Sequence, residues 1–98
     1  MDLLWADPPF FQLDALVDTV ALGRDHAARG RFFPNTTRMF FLEWTDEATG
    51  QEIEASVYRS GLVNMKGWVC TGDDRARIEA FYDTYLAPYV MQRGVWSV

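Results

Sequence analysis

Residues 37–58 decide the fold, and they read TRMFFLEWTDEATGQEIEASVY. The second half of this stretch alternates between apolar and polar residues, and its apolar side consists of Ile53, Ala55 and Val57. Between the halves lies the polar run Asp46–Gly50, whose glycine can adopt the positive φ angle of a turn. The pattern predicts an antiparallel hairpin with strands at 37–45 and 51–58 joined by a five-residue loop.

Helical periodicity on either side of the hairpin predicts two helices. The first spans 8–29, with Asp7 as its N-cap and Gly30 as a left-handed stop. The second begins at Thr71 and ends or kinks near Pro88. Its apolar positions recur at three- and four-residue spacing, and they are Ile78, Phe81, Tyr82, Tyr85, Leu86 and Tyr89.

A third strand is predicted at 62–70, with Trp68 pointing away from the core and with an inner side formed by Val63, Met65 and Val69. The element order α-β-β-β-α predicts a single α+β domain at 1–98, a three-stranded antiparallel sheet flanked by two helices. A short extra edge strand at either terminus is compatible with this arrangement, from 3–5 or from 95–98.

The charge balance restricts the class of partner. The 98-residue chain has a net charge of −5, and hydrophobic residues make up 49% of it. An acidic domain gains nothing from counterion release on DNA or RNA, and it is repelled by anionic lipid, so direct nucleic-acid and membrane binding are disfavoured. A basic protein surface, or the basic groove of a nucleic-acid-binding complex, is favoured instead.

Cysteine usage and the chain start indicate a compartment. Cys70 is the only cysteine, so no intrachain disulfide can form, and its apolar neighbours predict a buried thiol. The first residues, 1–5, lack the basic region of a signal peptide, and no apolar run is long enough to span a bilayer. We therefore expect a cytoplasmic protein.

No catalytic, metal-binding or cofactor motif stands out in the sequence. His26 is the only histidine, and its place late in the first predicted helix favours a structural role near the helix C-terminus. An enzyme that combines His26 with Glu43 or Glu54 is the least favoured of the functions considered. We expect no catalytic residues, no metal and no cofactor.

Candidate binding residues lie on the hairpin, on the third strand and on the last helix. Glu52 and Glu54 share one strand face, and Glu43 can join them across the hairpin. Phe41 and Trp68 are expected on the same face of the sheet, where they either form an uncovered aromatic patch or are covered by the tail around Trp96. The hydroxyl groups of Tyr82, Tyr85 and Tyr89 suit a half-exposed rim, which makes Tyr82 and Tyr89 further partner-binding candidates.

These features favour a non-enzymatic protein-binding domain that occludes a basic or nucleic-acid-binding surface of its partner. Small acidic inhibitors that phages make against host defence complexes such as CRISPR systems, and immunity proteins against toxins, act in this physical way. The alternative is a homodimeric α+β domain that encloses a small apolar ligand between open sheets, with Trp68 and Phe41 as lining. Both a monomer and a homodimer are compatible with the sequence.

Overall fold

The computed structural model describes residues 3–91 of the chain. The strands in this range are β1 Leu3–Asp7, β2 Phe10–Leu13, β3 Leu16–Val17, β4 Gly30–Phe32, β5 Met39–Asp46, β6 Gln51–Tyr58, β7 Leu62–Lys66 and β8 Val90–Met91. The α-helices are α1 Thr19–Asp25 and α2 Asp74–Phe81. Shorter helical turns follow them, a 3₁₀ turn at Ala27–Arg29, a π-helical turn at Tyr82–Leu86 and a 3₁₀ turn at Ala87–Tyr89.

Six of these strands form one antiparallel sheet in the order β1-β2-β7-β6-β5-β4, while β3 and β8 pair separately. The chain is therefore α+β with an antiparallel sheet, but the predicted three-stranded sheet with the order α-β-β-β-α is wrong. The three predicted strands are the neighbours β5, β6 and β7. The sheet continues beyond them through β2 and β1 on one side and β4 on the other.

The first predicted helix, 8–29, is wrong over most of its length. Pro8 and Pro9 form the turn between β1 and β2, so Asp7 ends a strand instead of capping a helix. In β2 the buried side chains are Phe11 and Leu13, which alternate with the outward residues Phe10 and Gln12. The backbone of this segment forms its hydrogen bonds by pairing of β2 with β7. The predicted edge strand at 3–5 is confirmed as part of β1.

The helix that does form is short and begins at a cap inside the predicted one. The Asp18 side chain accepts a hydrogen bond from the Ala21 backbone N–H at 3.1 Å, and this bond starts α1. Gly30 is extended and opens β4, so the predicted left-handed stop is also wrong. Its lack of a side chain matters for another reason, because a Cβ atom there would lie 2.1 Å from the Phe41 carbonyl oxygen.

The predicted hairpin is confirmed. β5 and β6 pair from Met39 opposite Tyr58 to Asp46 opposite Gln51, which leaves four residues, 47–50, in the loop. Gly50 adopts a φ angle of +71°. The two faces of the hairpin follow the expected alternation. The side chains on its buried face are Phe40, Leu42, Trp44, Ile53, Ala55 and Val57.

Both helices pack on that buried side of the sheet. The Phe81 ring of α2 lies 4.8 Å from the Trp44 ring, and Gly23 of α1 lies against Phe40. Ile78 and Phe81, two of the apolar positions predicted for the last helix, lie in the core, each with 1% of its surface exposed. The other side of the six-stranded sheet faces away from both helices, and we call it the open face.

The third predicted strand ends earlier than expected. β7 stops at Lys66, and Gly67 turns the chain with a φ angle of +98°. Val69 and Cys70 are consequently exposed, which overturns their predicted burial. The helix that follows begins at Asp74 and not at Thr71. The predicted terminal strand at 95–98 lies outside the described residues.

Candidate functional site

The predicted acidic residues meet on the open face, and we call Glu43, Glu52 and Glu54 the acidic patch. Glu43 lies directly opposite Glu54 in the β5–β6 pairing, and Glu52 lies opposite Thr45. The Thr45 hydroxyl donates a hydrogen bond to a Glu52 carboxylate oxygen at 2.7 Å. Like charges placed directly opposite each other destabilise a sheet, so the Glu43–Glu54 pair lowers the stability of the hairpin.

Two cations border the acidic patch. The Arg31 guanidinium of β4 reaches a Glu54 carboxylate oxygen at 3.4 Å, and Lys66 of β7 lies opposite Glu54 in the sheet. Both cations adjoin Glu54, so the negative potential is concentrated towards Glu43 and Glu52.

Aromatic rings lie beside the patch on the same face. Phe41 lies opposite Arg31 in the β4–β5 pairing, and the guanidinium carbon is 4.8 Å from the centre of the Phe41 ring. The Phe33 ring lies 6.2 Å from that ring and is 49% exposed. Phe10 of β2 is also exposed on the open face, in register with the row of side chains that crosses the sheet from Phe41. The face therefore combines exposed rings with carboxylates.

Trp68 does not join this surface. Its indole N–H donates to a carboxylate oxygen of Asp74 at 2.8 Å, and the Arg77 guanidinium carbon lies 3.8 Å from its ring. The hydrogen bond from Trp68 is the strongest of the contacts that lower the pKa of Asp74. Trp68 is thus bound to the start of α2, and the expected aromatic patch of Trp68 and Phe41 is wrong, as is their joint lining of a ligand site between open sheets.

Tyr82 and Tyr89 belong to the helical side of the molecule. Both are half-buried against the core, as expected for a rim. The Tyr89 hydroxyl donates to a carboxylate oxygen of Asp25 at 2.8 Å. Burial, together with this hydrogen bond, raises the pKa of Tyr89 above its ordinary value. Tyr89 therefore links the last helical turns to α1, away from the acidic patch.

His26 has a structural environment. Its backbone N–H closes the end of α1 on the Leu22 carbonyl oxygen, and its ring makes edge contacts with Tyr85 and Tyr89 at 5.9 and 5.8 Å. Glu43 and Glu54 lie on the opposite side of the sheet from this ring, so the structure brings neither carboxylate to His26.

Arg31, Phe33 and Phe10 are the residues of this face that the sequence did not place there. The positions of Arg31 and Phe33 are set by β4. This strand has only three residues and begins with a glycine, so its sequence shows too little alternation to predict a strand. The outward position of Phe10 could have been predicted from the sequence. If the two prolines are taken as a turn, the four residues of β2 alternate as in a strand.

Within residues 3–91, no group of three or more metal-ligating side chains is found, and no helix has the length and apolar character to cross a membrane. Comparisons with protein-family models, with curated proteins and with solved structures give no match to this chain.

Proposed function

We propose that the chain is a non-enzymatic protein-binding domain whose open face occludes a basic surface of a partner protein. The observation that carries this proposal is the direct pairing of Glu43 with Glu54 on an open sheet face, beside the half-buried ring of Phe41 and the exposed ring of Phe33. Such a pairing lowers stability, and binding to a cationic surface would relieve the repulsion.

The two parts of this face suit two steps of binding. The net charge of −5 and the acidic patch attract a basic partner and raise the rate of association. The exposed rings of Phe33 and Phe10, together with the half-buried ring of Phe41, supply apolar area that a partner can bury, which slows dissociation. Arg31, stacked on Phe41, adds a donor at the rim of the same surface.

The partner chemistry that fits best is an arginine- or lysine-rich groove of the kind that holds nucleic acid. A domain that covers such a groove acts as an inhibitor, as phage proteins directed against host defence complexes and toxin immunity proteins do. We place this activity in the cytoplasm, because a chain with one cysteine does not depend on an oxidising compartment for disulfides.

Affinity capture of the partner from the native host, followed by association kinetics with variants, tests the proposal. Reversing Glu43 and Glu52 to lysine should slow association on the order of tenfold at low salt and weaken its salt dependence. The matched control reverses Glu79 and Asp83, two exposed carboxylates on the helical side, which gives the same net charge. If both double variants slow association equally, the acidic patch has no special role and the proposed surface is wrong.

A second variant separates charge from apolar contact. Phe41→Ala should raise the dissociation rate with little effect on the association rate, because the ring acts after the encounter. Tyr82→Ala, a half-buried aromatic residue on the helical side, is its control. A larger effect from Tyr82→Ala than from Phe41→Ala would move the interface to the helices.

A further inference from the structure

The outer edge of β1 is the part of the sheet best able to accept another strand. Among the described strands, β1 is last in the six-stranded sheet and pairs only with β2. Natural edge strands are usually protected by lysine, by proline or by their shortness. The opposite edge, β4, has three residues and contains Arg31, whereas β1 has five residues, Leu3–Asp7, with no lysine, arginine or proline. The edge at β1 is therefore the less protected of the two.

Alternate residues of β2 bond its two neighbouring strands. The Met65 N–H donates to the Pro9 carbonyl oxygen at 2.8 Å, and the Leu13 N–H donates to the Gly61 carbonyl oxygen at 2.9 Å. Residues 9, 11 and 13 therefore direct their backbone groups to β7, because hydrogen-bonded positions alternate along an antiparallel ladder. Residues 10 and 12, which lie between them, direct theirs to β1.

The same alternation leaves Ala6 with its backbone groups directed outward. The β1 partners of residues 10 and 12 are Asp7 and Trp5, so the N–H and C=O groups of these two residues point to β2. Ala6 lies between them, and its own N–H and C=O point to the free edge. An antiparallel strand placed there can exchange two backbone hydrogen bonds with Ala6. The irregular pairing between Leu3 and Trp5 keeps the regular part of this edge short.

The side chains of Trp5 and Asp7 stand on the open face, one on each side of Ala6. Asp7 lies opposite the open-face residue Phe10, and residues two apart in a strand share a face. Both side chains are exposed, Trp5 by 47%. Trp5 offers an indole N–H as a donor, and Asp7 offers a carboxylate as an acceptor. The edge therefore carries a donor and a matching acceptor at equal distances from the outward backbone groups of Ala6.

We propose that β1 pairs antiparallel with β1 of a second copy of this chain, around a two-fold axis at Ala6. In that register the two Ala6 residues exchange a pair of backbone hydrogen bonds, and Trp5 of each copy lies directly opposite Asp7 of the other. The Trp5 indole N–H then meets the Asp7 carboxylate on both sides of the axis, as Trp68 meets Asp74 within this chain at 2.8 Å. The occupant is a second copy because the edge is complementary to itself.

Repulsion between two acidic copies does not prevent this pairing. Each copy has a net charge of −5, but its acidic patch is separated from β1 by β2 and β7. Neighbouring strands are ~4.8 Å apart, so the two acidic patches lie roughly 30 Å apart across the new pair. This separation is several times the Debye length of ~8 Å at physiological salt. The nearest like charges are the two Asp7 carboxylates, ~7–8 Å apart on the diagonal, and each of them faces an indole donor.

The two-fold axis is perpendicular to the sheet, because facing residues of an antiparallel pair direct their side chains to the same side. Both open faces therefore lie on one side of the dimer, and both acidic patches stay accessible. The pairing uses no residue of the acidic patch, so it goes beyond the proposed partner binding and is tested in the absence of a partner.

Sedimentation velocity of the whole protein over a concentration series tests this proposal. The interface is small, so we expect dimers with a dissociation constant on the order of 0.1 mM. Trp5→Glu should weaken dimerisation about tenfold or more, because the introduced carboxylate lies directly opposite Asp7 of the second copy. Val20→Glu is the matched control, since Val20 is an apolar residue of α1 that is 54% exposed and the change alters the net charge equally.

A charge exchange across the axis tests the register. Trp5→Glu combined with Asp7→Lys places opposite charges at the facing positions and should restore the dissociation constant to within about threefold of the unmodified value. Hydrogen exchange adds a measurement that needs no variant, because the Ala6 amide should exchange more slowly as the protein concentration rises.

Three results would overturn the proposal. The first is an unmodified protein that stays monomeric up to about 1 mM, which would leave this edge free for a strand of another protein. The second is dimers that persist in Trp5→Glu or that are weakened equally in Val20→Glu, which would place the contact elsewhere. The third is an Ala6 amide whose exchange does not slow in the dimer, which would refute pairing around Ala6.

Discussion

Arg77→Met is expected to lower the free energy of unfolding by about 3–5 kcal/mol, the range found when one member of a buried ion pair is removed. The Arg77 and Asp46 side chains are only 5% and 4% exposed. Methionine keeps most of the apolar length but leaves the Asp46 carboxylate buried with only the Ala48 N–H and the Thr49 hydroxyl as donors. Such a loss is a large part of the ~5–15 kcal/mol that stabilises a typical domain.

Urea unfolding measures this effect, and the same helix offers a matched control. Arg75 bonds Glu79 at 2.8 Å, but both side chains are exposed, by 61% and 48%. Arg75→Met should therefore cost about 0.3–0.5 kcal/mol, the usual value of an exposed pair one turn apart. If Arg77→Met destabilises the protein no more than Arg75→Met does, the Asp46–Arg77 pair is not desolvated and our account of this part of the core is wrong.

The pH dependence of stability gives an independent check on the same pair. Burial alone would raise the pKa of Asp46, but hydrogen bonds from Arg77, Ala48 and Thr49 and the charge of Arg77 hold the pKa below its ordinary value of 3.8. A lowered folded-state pKa contributes stability above pH 3.8, and that contribution is lost as the pH falls through the lowered pKa. The stability difference between the unmodified protein and Asp46→Asn should shrink over this acidic range and stay constant at neutral pH.

Three further predictions concern single positions. Phe81→Ala should cost ~3–5 kcal/mol by leaving a cavity beneath the sheet, and a melting temperature within a degree or two of the unmodified protein would contradict the packing of α2. Gly30→Ala should cost ~1–3 kcal/mol because its Cβ atom would collide with the Phe41 carbonyl oxygen, and an unchanged urea midpoint would contradict this close approach. Glu43→Gln should stabilise the hairpin by ~0.2–1 kcal/mol in low salt by removing the repulsion from Glu54, an effect that a loss of stability would refute.

The hairpin could be predicted from sequence because its information is local. Two-residue alternation set the buried side of β6, and the polar loop that ends at Gly50 set the register. That register places Glu43 beside Glu54, so the acidic part of the candidate site followed directly. The partly buried Tyr85 and the buried Phe81 likewise follow from the spacing of α2 and the turn after it.

The first third of the chain could not be predicted in the same way because its pattern satisfies two periods. Phe10, Leu13, Leu16 and Val17 fit one face of a helix, while Phe11, Leu13 and Val17 are the residues that the structure buries. The choice is made by pairing of β2 with β7, about fifty residues away in the chain. Local propensity contains no information about that partner.

The predicted position of Trp68 was wrong for a related reason. Its apolar neighbours continue the pattern of β7, but Gly67 turns the chain, and the indole then finds Asp74 and Arg77. A polar tip that requires a partner places the ring more strongly than strand alternation does. The buried Arg77 itself gave no periodic signal, although it determines where the end of β5 meets α2.

β5 contributes side chains to both sides of the sheet because successive residues alternate across it. Phe41 and Glu43 lie on the open face, which we propose contacts a protein partner, while Trp44 is buried on the helical side against Phe81. Substitutions at Phe41 and Glu43 should therefore change the proposed partner surface without disturbing the packing between Trp44 and Phe81, so that loss of binding in these variants would not be a consequence of unfolding.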